Sequence, residues 1–190
     1  AQKGLLGINF GNFLIKRVVD NLSNELKGLE NFSTLSPLPG FVPWLINNLD
    51  EQLLSFLTED QINILLELAD EVGVVQSILY LLESDKWLNV PKAEQALKPV
   101  LLRLAGYYIV NKKRPSGTAL DSVGHFHLNN GARIEQINWA ADTSEKGLTQ
   151  SAGIMINYRY LLDDIEANHE SYRSGQEIII SPKVQGLMKN

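Results

Sequence analysis

Two histidines, His125 and His127, stand two residues apart in the stretch Ser122-Val-Gly-His-Phe-His-Leu-Asn-Asn-Gly-Ala-Arg-Ile-Glu-Gln-Ile-Asn-Trp139. Imidazole changes charge near neutral pH, so it serves as acid, base or metal ligand. Ser36 stands in a second distinctive setting, just before Pro37-Leu-Pro-Gly40. A hydroxyl brought to an imidazole makes a nucleophile–base pair, although no Gly-x-Ser-x-Gly elbow surrounds Ser36. Histidines at i and i+2 on a strand face also occur in metal sites, but no third ligand is evident here. The chain has no cysteine, which excludes disulfides, thiolate metal sites and a cysteine nucleophile. Local spacing therefore leaves two readings open: a Ser/His site, or hydrogen-bonded structural histidines on a half-buried strand.

A third candidate is Leu5-Leu6-Gly7-Ile8-Asn9-Phe10-Gly11-Asn12, a loop with two glycines four apart. The apolar residues Leu14, Val18, Leu22 and Leu26 that follow recur at helical spacing. Glycines ahead of a helix N-terminus let backbone N–H groups approach an anion. The spacing is neither Gly-x-Gly-x-x-Gly nor a Walker motif. On local evidence the signal is weak, and an ordinary glycine turn entering a helix accounts for it better.

These groups need elements to hold them. The alternation of His125, Phe126, His127 and Leu128, then Asn129-Asn130-Gly131, predicts a strand and a tight hairpin turn. Ala132 and Ile134, then Ile137 and Trp139, predict a second strand, with a one-residue phase change between Ile134 and Ile137. Asn31 to Ser36 reads as a short strand that Pro37 ends, and Phe41 to Ile46 as the start of a helix with Pro43 in its first turn. Gly28 stops the first helix. From Asp50 to Val110 the pattern is helical, with a capping box at Thr58-Glu-Asp-Gln61 and a kink or join expected at Pro99. Trp87 most simply anchors a helix end. The basic stretch Lys112-Lys113-Arg114 reads as a solvated loop, though three cations can also meet a phosphate. Thr143 or Ser144 caps a predicted helix through Ile154, Tyr158, Leu161 and Leu162 into Asp163-Asp164-Ile-Glu166. Ile178 to Ile180 reads as a last short strand or the start of the terminal segment.

Composition bounds the class. The 190 residues are 44% hydrophobic and 21% charged, with a net charge of -5, as in one ordinary well-packed domain. This balance gives no support for a nucleic-acid partner. No apolar run approaches the roughly 20 residues needed to span a bilayer, so no membrane partner is expected. With neither a signal peptide nor a peroxisomal tripeptide legible, the expected compartment is cytoplasmic.

Five blocks, in order, carry a resemblance: Gly7-Ile-Asn-Phe-Gly-Asn-Phe-Leu-Ile-Lys-Arg-Val-Val19, Phe32-Ser-Thr-Leu-Ser-Pro-Leu-Pro-Gly-Phe41, Phe126-His-Leu-Asn-Asn-Gly-Ala132, Ile137-Asn-Trp-Ala-Ala-Asp142 and Gly153-Ile-Met-Ile-Asn-Tyr-Arg-Tyr160. Together they resemble malonyl-CoA decarboxylase. The resemblance implies an α/β (α+β) fold, a GNAT acetyltransferase-like mixed sheet with inserted helices. Residues 1–190 would then be the C-terminal portion of one catalytic domain, with a helical insertion at about 50–110. The N-terminal helical domain, the first strands and a family serine would lie upstream. It further implies malonyl-CoA and acetyl-CoA as ligands, no metal or organic cofactor, and a homo-oligomer in the full-length protein. Leu6, Gly7, Ile8, Asn9, Phe10, Gly11 and Asn12 would bind the CoA pyrophosphate. Asn9 stands where some members carry glutamate, so no charge-dependent role is assigned to it. Ser36, His127 and Tyr160 would be catalytic, with His127 donating a proton and Ser36 and Tyr160 positioning the malonyl group; His125 lies outside the family motif. An acyl-CoA-dependent acyltransferase and a non-catalytic CoA-binding fragment are the alternatives. The geometric expectation is that Ser36 and His127 face a common pocket beside the Leu6–Asn12 loop.

Overall fold

The computed structural model describes residues 11–29, 31–69, 73–84, 86–175 and 177–189. At its centre is a three-stranded antiparallel sheet, β1 (Phe32–Pro37), β2 (Arg133–Asn138) and β3 (Met155–Tyr160), in the order β1-β3-β2. β3 is the middle strand because Ile156, Tyr158 and Tyr160 alternate with the more polar Met155, Asn157 and Arg159. Its apolar face lies buried against helices. The helix expected through Ile154 and Tyr158 is therefore wrong: the period that decides burial is two, and the four-residue recurrence was fortuitous. Ser144 does cap a helix, but the short one before that strand, where its Oγ accepts from Gly147 N–H at 3.1 Å.

The predicted hairpin is also corrected. Residues Ser122–Asn129 form a helix, not a strand. The sequence alternates, but Gly124, His127 and Leu128 also fall at i, i+3 and i+4, and those are the buried positions. Asp121 supplies what tips the balance: its carboxylate accepts from Val123 N–H and Gly124 N–H, both at 2.9 Å, and so starts the helix. Asn130 and Gly131 end it rather than turning a hairpin. Gly131 has φ +78°, and a Cβ there would stand 2.2 Å from the Ile165 carbonyl oxygen. The second half of the reading holds. β2 forms, and the phase change between Ile134 and Ile137 is a bulge at which the register with β3 shifts, so both isoleucines are buried.

The helices, in chain order, are α1 (Gly11–Glu25), α2 (Phe41–Asn48), α3 (Glu59–Ala69), α4 (Val74–Ser84), α5 (Pro91–Asn111), α6 (Ser122–Asn129), α7 (Glu145–Ser151), α8 (Ile165–Arg173) and α9 (Pro182–Lys189). α1 and α2 and the expected strand before α2 stand where the sequence puts them. The Thr58–Gln61 capping box closes as expected, with reciprocal backbone bonds of 3.0 and 3.3 Å. α5 is the hydrophobic spine, burying Leu97, Val100, Leu101, Leu104, Ala105, Tyr108 and Ile109. Pro99 neither stops it nor marks a join. It lies on the solvent side, and the carbonyl its missing N–H would have met belongs to exposed Gln95. Trp87 is buried against Trp139, with ring centroids 5.0 Å apart. The expected strand at Ile178–Ile180 is a single parallel bridge to Ile134, at the edge of β2. No helix among the described residues is long and apolar enough to cross a membrane.

Candidate active site

β1 and β3 pair with Phe32 opposite Tyr160, Thr34 opposite Tyr158 and Ser36 opposite Ile156. Strand side chains alternate faces, so Thr34, Ser36, Tyr158 and Tyr160 share one face. α6 lies across that face and directs His127 into it. The result is a line of hydrogen bonds. Ser36 Oγ is 2.9 Å from His127 Nε2, and His127 Nδ1 is 2.8 Å from Tyr160 Oη. Ser36 Oγ also lies 3.0 Å from Thr34 Oγ1. All three predicted catalytic side chains are thus in contact, although 91 residues separate Ser36 from His127.

The direction of the bonds follows from counting protons. Ser36 has a single hydroxyl proton. When it goes to Thr34 Oγ1, Nε2–H donates to Ser36 and the Tyr160 hydroxyl donates to Nδ1. The opposite assignment would leave the buried Tyr160 proton without an acceptor among the described residues. The first arrangement satisfies the donors of Ser36, His127 and Tyr160 and puts the imidazole proton on Nε2, toward Ser36.

Burial sets the charge. His127 is enclosed by sheet and helix, and removal from water lowers its pKa from 6.5 to about 4, so the ring is neutral at neutral pH. The same cause raises the Tyr160 phenol well above its ordinary value, so it stays protonated and able to donate. The Tyr158 ring lies parallel to the imidazole, with centroids 4.4 Å apart and planes 17° from parallel.

The sequence reading missed Asp121. Besides capping α6, its Oδ2 accepts from Gly40 N–H at 3.1 Å. One buried carboxylate therefore ties the turn after Ser36 to the helix that carries His127. The signal was present as an Asp immediately before Ser122, a helix N-cap residue, but it carried no weight while residues 122–128 read as a strand. Thr34 and Tyr158 were missed as well. Both become visible once the strand register sets them opposite one another.

His125 stands apart. Its Nδ1 meets Tyr172 Oη at 2.8 Å, and Tyr172 Oη accepts from Ala119 N–H at 2.8 Å. It anchors α8 to α6 and does not join His127 in a ligand pair. Among the described residues no cluster of three or more His, Asp or Glu side chains is placed to hold a metal ion. Of the expected pyrophosphate loop, Leu6, Gly7, Ile8, Asn9 and Phe10 lie outside the described residues; Gly11 and Asn12 open α1. A cavity of about 290 Å³ lies between α1, the end of α6 and α8, lined by Lys16, Asn129, Asn130, Ile165, His169 and the Lys16-paired Glu166, among others.

Comparison with known proteins converges on one family. The family model described as malonyl-CoA decarboxylase C-terminal domain matches residues 1–190. The mitochondrial malonyl-CoA decarboxylase of Rattus norvegicus is 41% identical over 195 residues, covering 99% of this chain and 39% of its own length. That of Anser anser anser is 39% identical over 189 residues, covering 97% and 37%. Among solved structures, malonyl-CoA decarboxylase from Agrobacterium vitis superposes with a TM-score of 0.82 at 38% identity, over 100% of this chain and 43% of that one. The Rhodopseudomonas palustris protein gives 0.80 at 39% identity, over 98% and 40%. The chain therefore spans about two fifths of the length of the relatives it matches.

Proposed function

This chain belongs to the malonyl-CoA decarboxylase family, and from that premise we propose that it carries the Ser–His–Tyr centre of an enzyme that converts malonyl-CoA to acetyl-CoA and CO2. The observation that supports the reading most is the continuous bond line Ser36–His127–Tyr160 around a neutral, desolvated imidazole. The bond between the malonyl carboxylate carbon and C2 breaks, and CO2 departs. The electron pair passes into the thioester carbonyl as an enolate. One proton then adds to C2, so a malonyl-CoA anion and a proton give acetyl-CoA and CO2.

The thioester is its own electron sink, so the reaction asks for no metal or organic cofactor. It does ask for a donor near the developing charge and an acid near C2. His127 fills the second role through Nε2–H. A thioester enolate is a strong enough base to take a proton from a neutral imidazole, and neutral imidazoles serve as electrophiles in related enolate chemistry. The Tyr160 hydroxyl, donating into Nδ1, offsets the negative charge left on the ring as the Nε2 proton departs, and solvent restores that proton after product leaves. Ser36 gives up Nε2 when substrate enters and turns its hydroxyl to the malonyl carboxylate. The low-dielectric surroundings that hold His127 neutral also favour a charged carboxylate leaving as uncharged CO2.

The Leu6–Asn12 loop would hold the CoA pyrophosphate at the start of α1. The three-stranded sheet would be the later part of a GNAT-like sheet, within a single catalytic domain that assembles as a homo-oligomer. Cytoplasmic residence is part of the same proposal; the rat and goose relatives are named as mitochondrial. The deciding experiment substitutes His127→Asn in the full-length protein and follows CO2 and acetyl-CoA from malonyl-CoA, with and without an amine acceptor. Loss of about 10²- to 10⁴-fold in turnover with CoA binding retained is expected. Unchanged turnover would sink the assignment, and acyl transfer that requires the amine would point to an acyltransferase.

A further inference from the structure

The centre contains one more aromatic side chain than the bond line uses. Tyr158 sits between Ser36 and Tyr160 on the shared face, opposite Thr34 on β1. It is completely buried, and its hydroxyl has no hydrogen-bond partner among the described residues. The tyrosines beside it behave differently: Tyr160 and Tyr172 both spend their hydroxyls on a histidine. A buried phenol kept without a partner is unfavourable. What Tyr158 does offer is its ring face, which lies 4.4 Å from the His127 ring and nearly parallel to it.

α6 is shaped to permit this stack. Gly124, one turn before His127, faces the Tyr158 edge. A Cβ at that position would stand 3.2 Å from Tyr158 Oη and 2.3 Å from the Ile109 Cδ1 of α5, so a larger residue would make the Ile109 side chain shift and would crowd the Tyr158 hydroxyl. The close approach sets the imidazole flat on the ring while its two nitrogens reach Ser36 and Tyr160 along the sheet.

We propose that Tyr158 is a positioning residue for His127: its ring face fixes the plane of the imidazole and covers it from water, while its hydroxyl is dispensable. The inference rests on the reading of His127 as the proton donor. A ring free to rotate about its Cβ–Cγ bond would satisfy Ser36 or Tyr160, but not both at once. Near-parallel stacking restricts that freedom, and it keeps solvent from one face of the imidazole. Among the described residues, the titratable groups in contact with the His127 ring are Tyr158 and Tyr160, both from β3. The Asp121 carboxylate, on the loop before α6, is engaged by the backbone N–H groups of Gly40, Val123 and Gly124. Burial is the one cause that lowers the His127 pKa.

The test compares Tyr158→Phe and Tyr158→Leu in the full-length protein. Tyr158→Phe keeps the ring face and should leave kcat within about twofold and the His127 titration midpoint in place. Tyr158→Leu should lower kcat by about tenfold or more with little change in KM. It should also move the His127 midpoint, read by imidazole NMR shifts, up toward 6.5. Equal damage from both variants would show that the hydroxyl matters and overturn the proposal, as would a Leu variant with unchanged kcat and midpoint. Should Tyr158→Leu not fold, the wild-type and Phe proteins still decide: the stacked ring must shift the His127 ring protons upfield in both, and absence of that shift overturns the inference. The NMR readings need no turnover. A failure of this inference is therefore distinct from a failure of the decarboxylase reading, which the His127→Asn variant reports.

Discussion

His127 carries two consequences of a single physical cause. Enclosure lowers its pKa, which keeps the ring neutral as the proposed proton donation requires, and the same shift makes it an acid-sensitive element of stability. Its folded pKa of about 4 lies below its ordinary 6.5, so between those values the unfolded chain binds more protons. Stability is complete above pH 6.5 and is lost progressively as pH falls toward 4, by roughly 3 kcal/mol from this residue. His125 adds to the loss in the same direction, since burial and the nearby Arg114 lower its pKa too. Glu135, held below its ordinary range chiefly by its bond to Arg133, acts in a lower window, below pH 4.5. Urea midpoints between pH 7 and pH 4.5 should therefore fall less steeply in a folded His127→Asn variant than in the wild type. Parallel pH curves would mean that the imidazole is not desolvated as described.

At the scale of elements, the site depends on how α6 is seated on the sheet. Asp121 does this by bonding Gly40 on one side and the first turn of α6 on the other. Replacing it with Ala removes the acceptor of three backbone N–H groups and the partner of the Tyr108 hydroxyl. The lost cap alone costs about 1 kcal/mol, and orphaned buried N–H groups cost more. Asn retains one acceptor oxygen for the cap but turns an NH2 toward Gly40 N–H. Both variants should lose stability, Ala the more. Both should also lower kcat, because α6 shifts His127 relative to Ser36. Circular-dichroism melts and steady-state rates on the two variants check this. Retention of full kcat in Asp121→Ala would show that α6 is held by packing alone. The corrected hairpin is instructive at this scale. Eight residues of alternating pattern also fit a helix of two turns, and the cap decided between them.

At the scale of the molecule, the centre lies where an antiparallel sheet meets a single short helix, backed by the α5 spine. The candidate groups Ser36, His127 and Tyr160 come from β1, α6 and β3, elements that only folding brings together. The proposed decarboxylation would draw its electron sink from the substrate, so dialysis of the full-length protein against a strong chelator should leave turnover unchanged. A loss that added divalent metal restores would overturn the cofactor-free reading.

Much of the candidate site was legible before folding, but through the family resemblance and not through local spacing, since matched motifs keep their residue types wherever they land. Phe-His-Leu, Leu-Ser-Pro and Asn-Tyr-Arg-Tyr picked out His127, Ser36 and Tyr160 without requiring the correct secondary structure around His127. Strong punctuation was legible too: the proline that closes β1, proline in the first turn of α2, the capping box before α3 and the phase change that became the β2 bulge. Two things required the tertiary structure. One is the type of a short element whose pattern fits two periods, as in residues 122–129 and 154–162, where burial by distant neighbours outweighs local preference. The other is any role made by contact across the chain: Asp121 joining two elements, Thr34 closing the bond line, and Tyr158 lying under the imidazole. Those roles belong to pairs of residues far apart in sequence, and no local spacing encodes them.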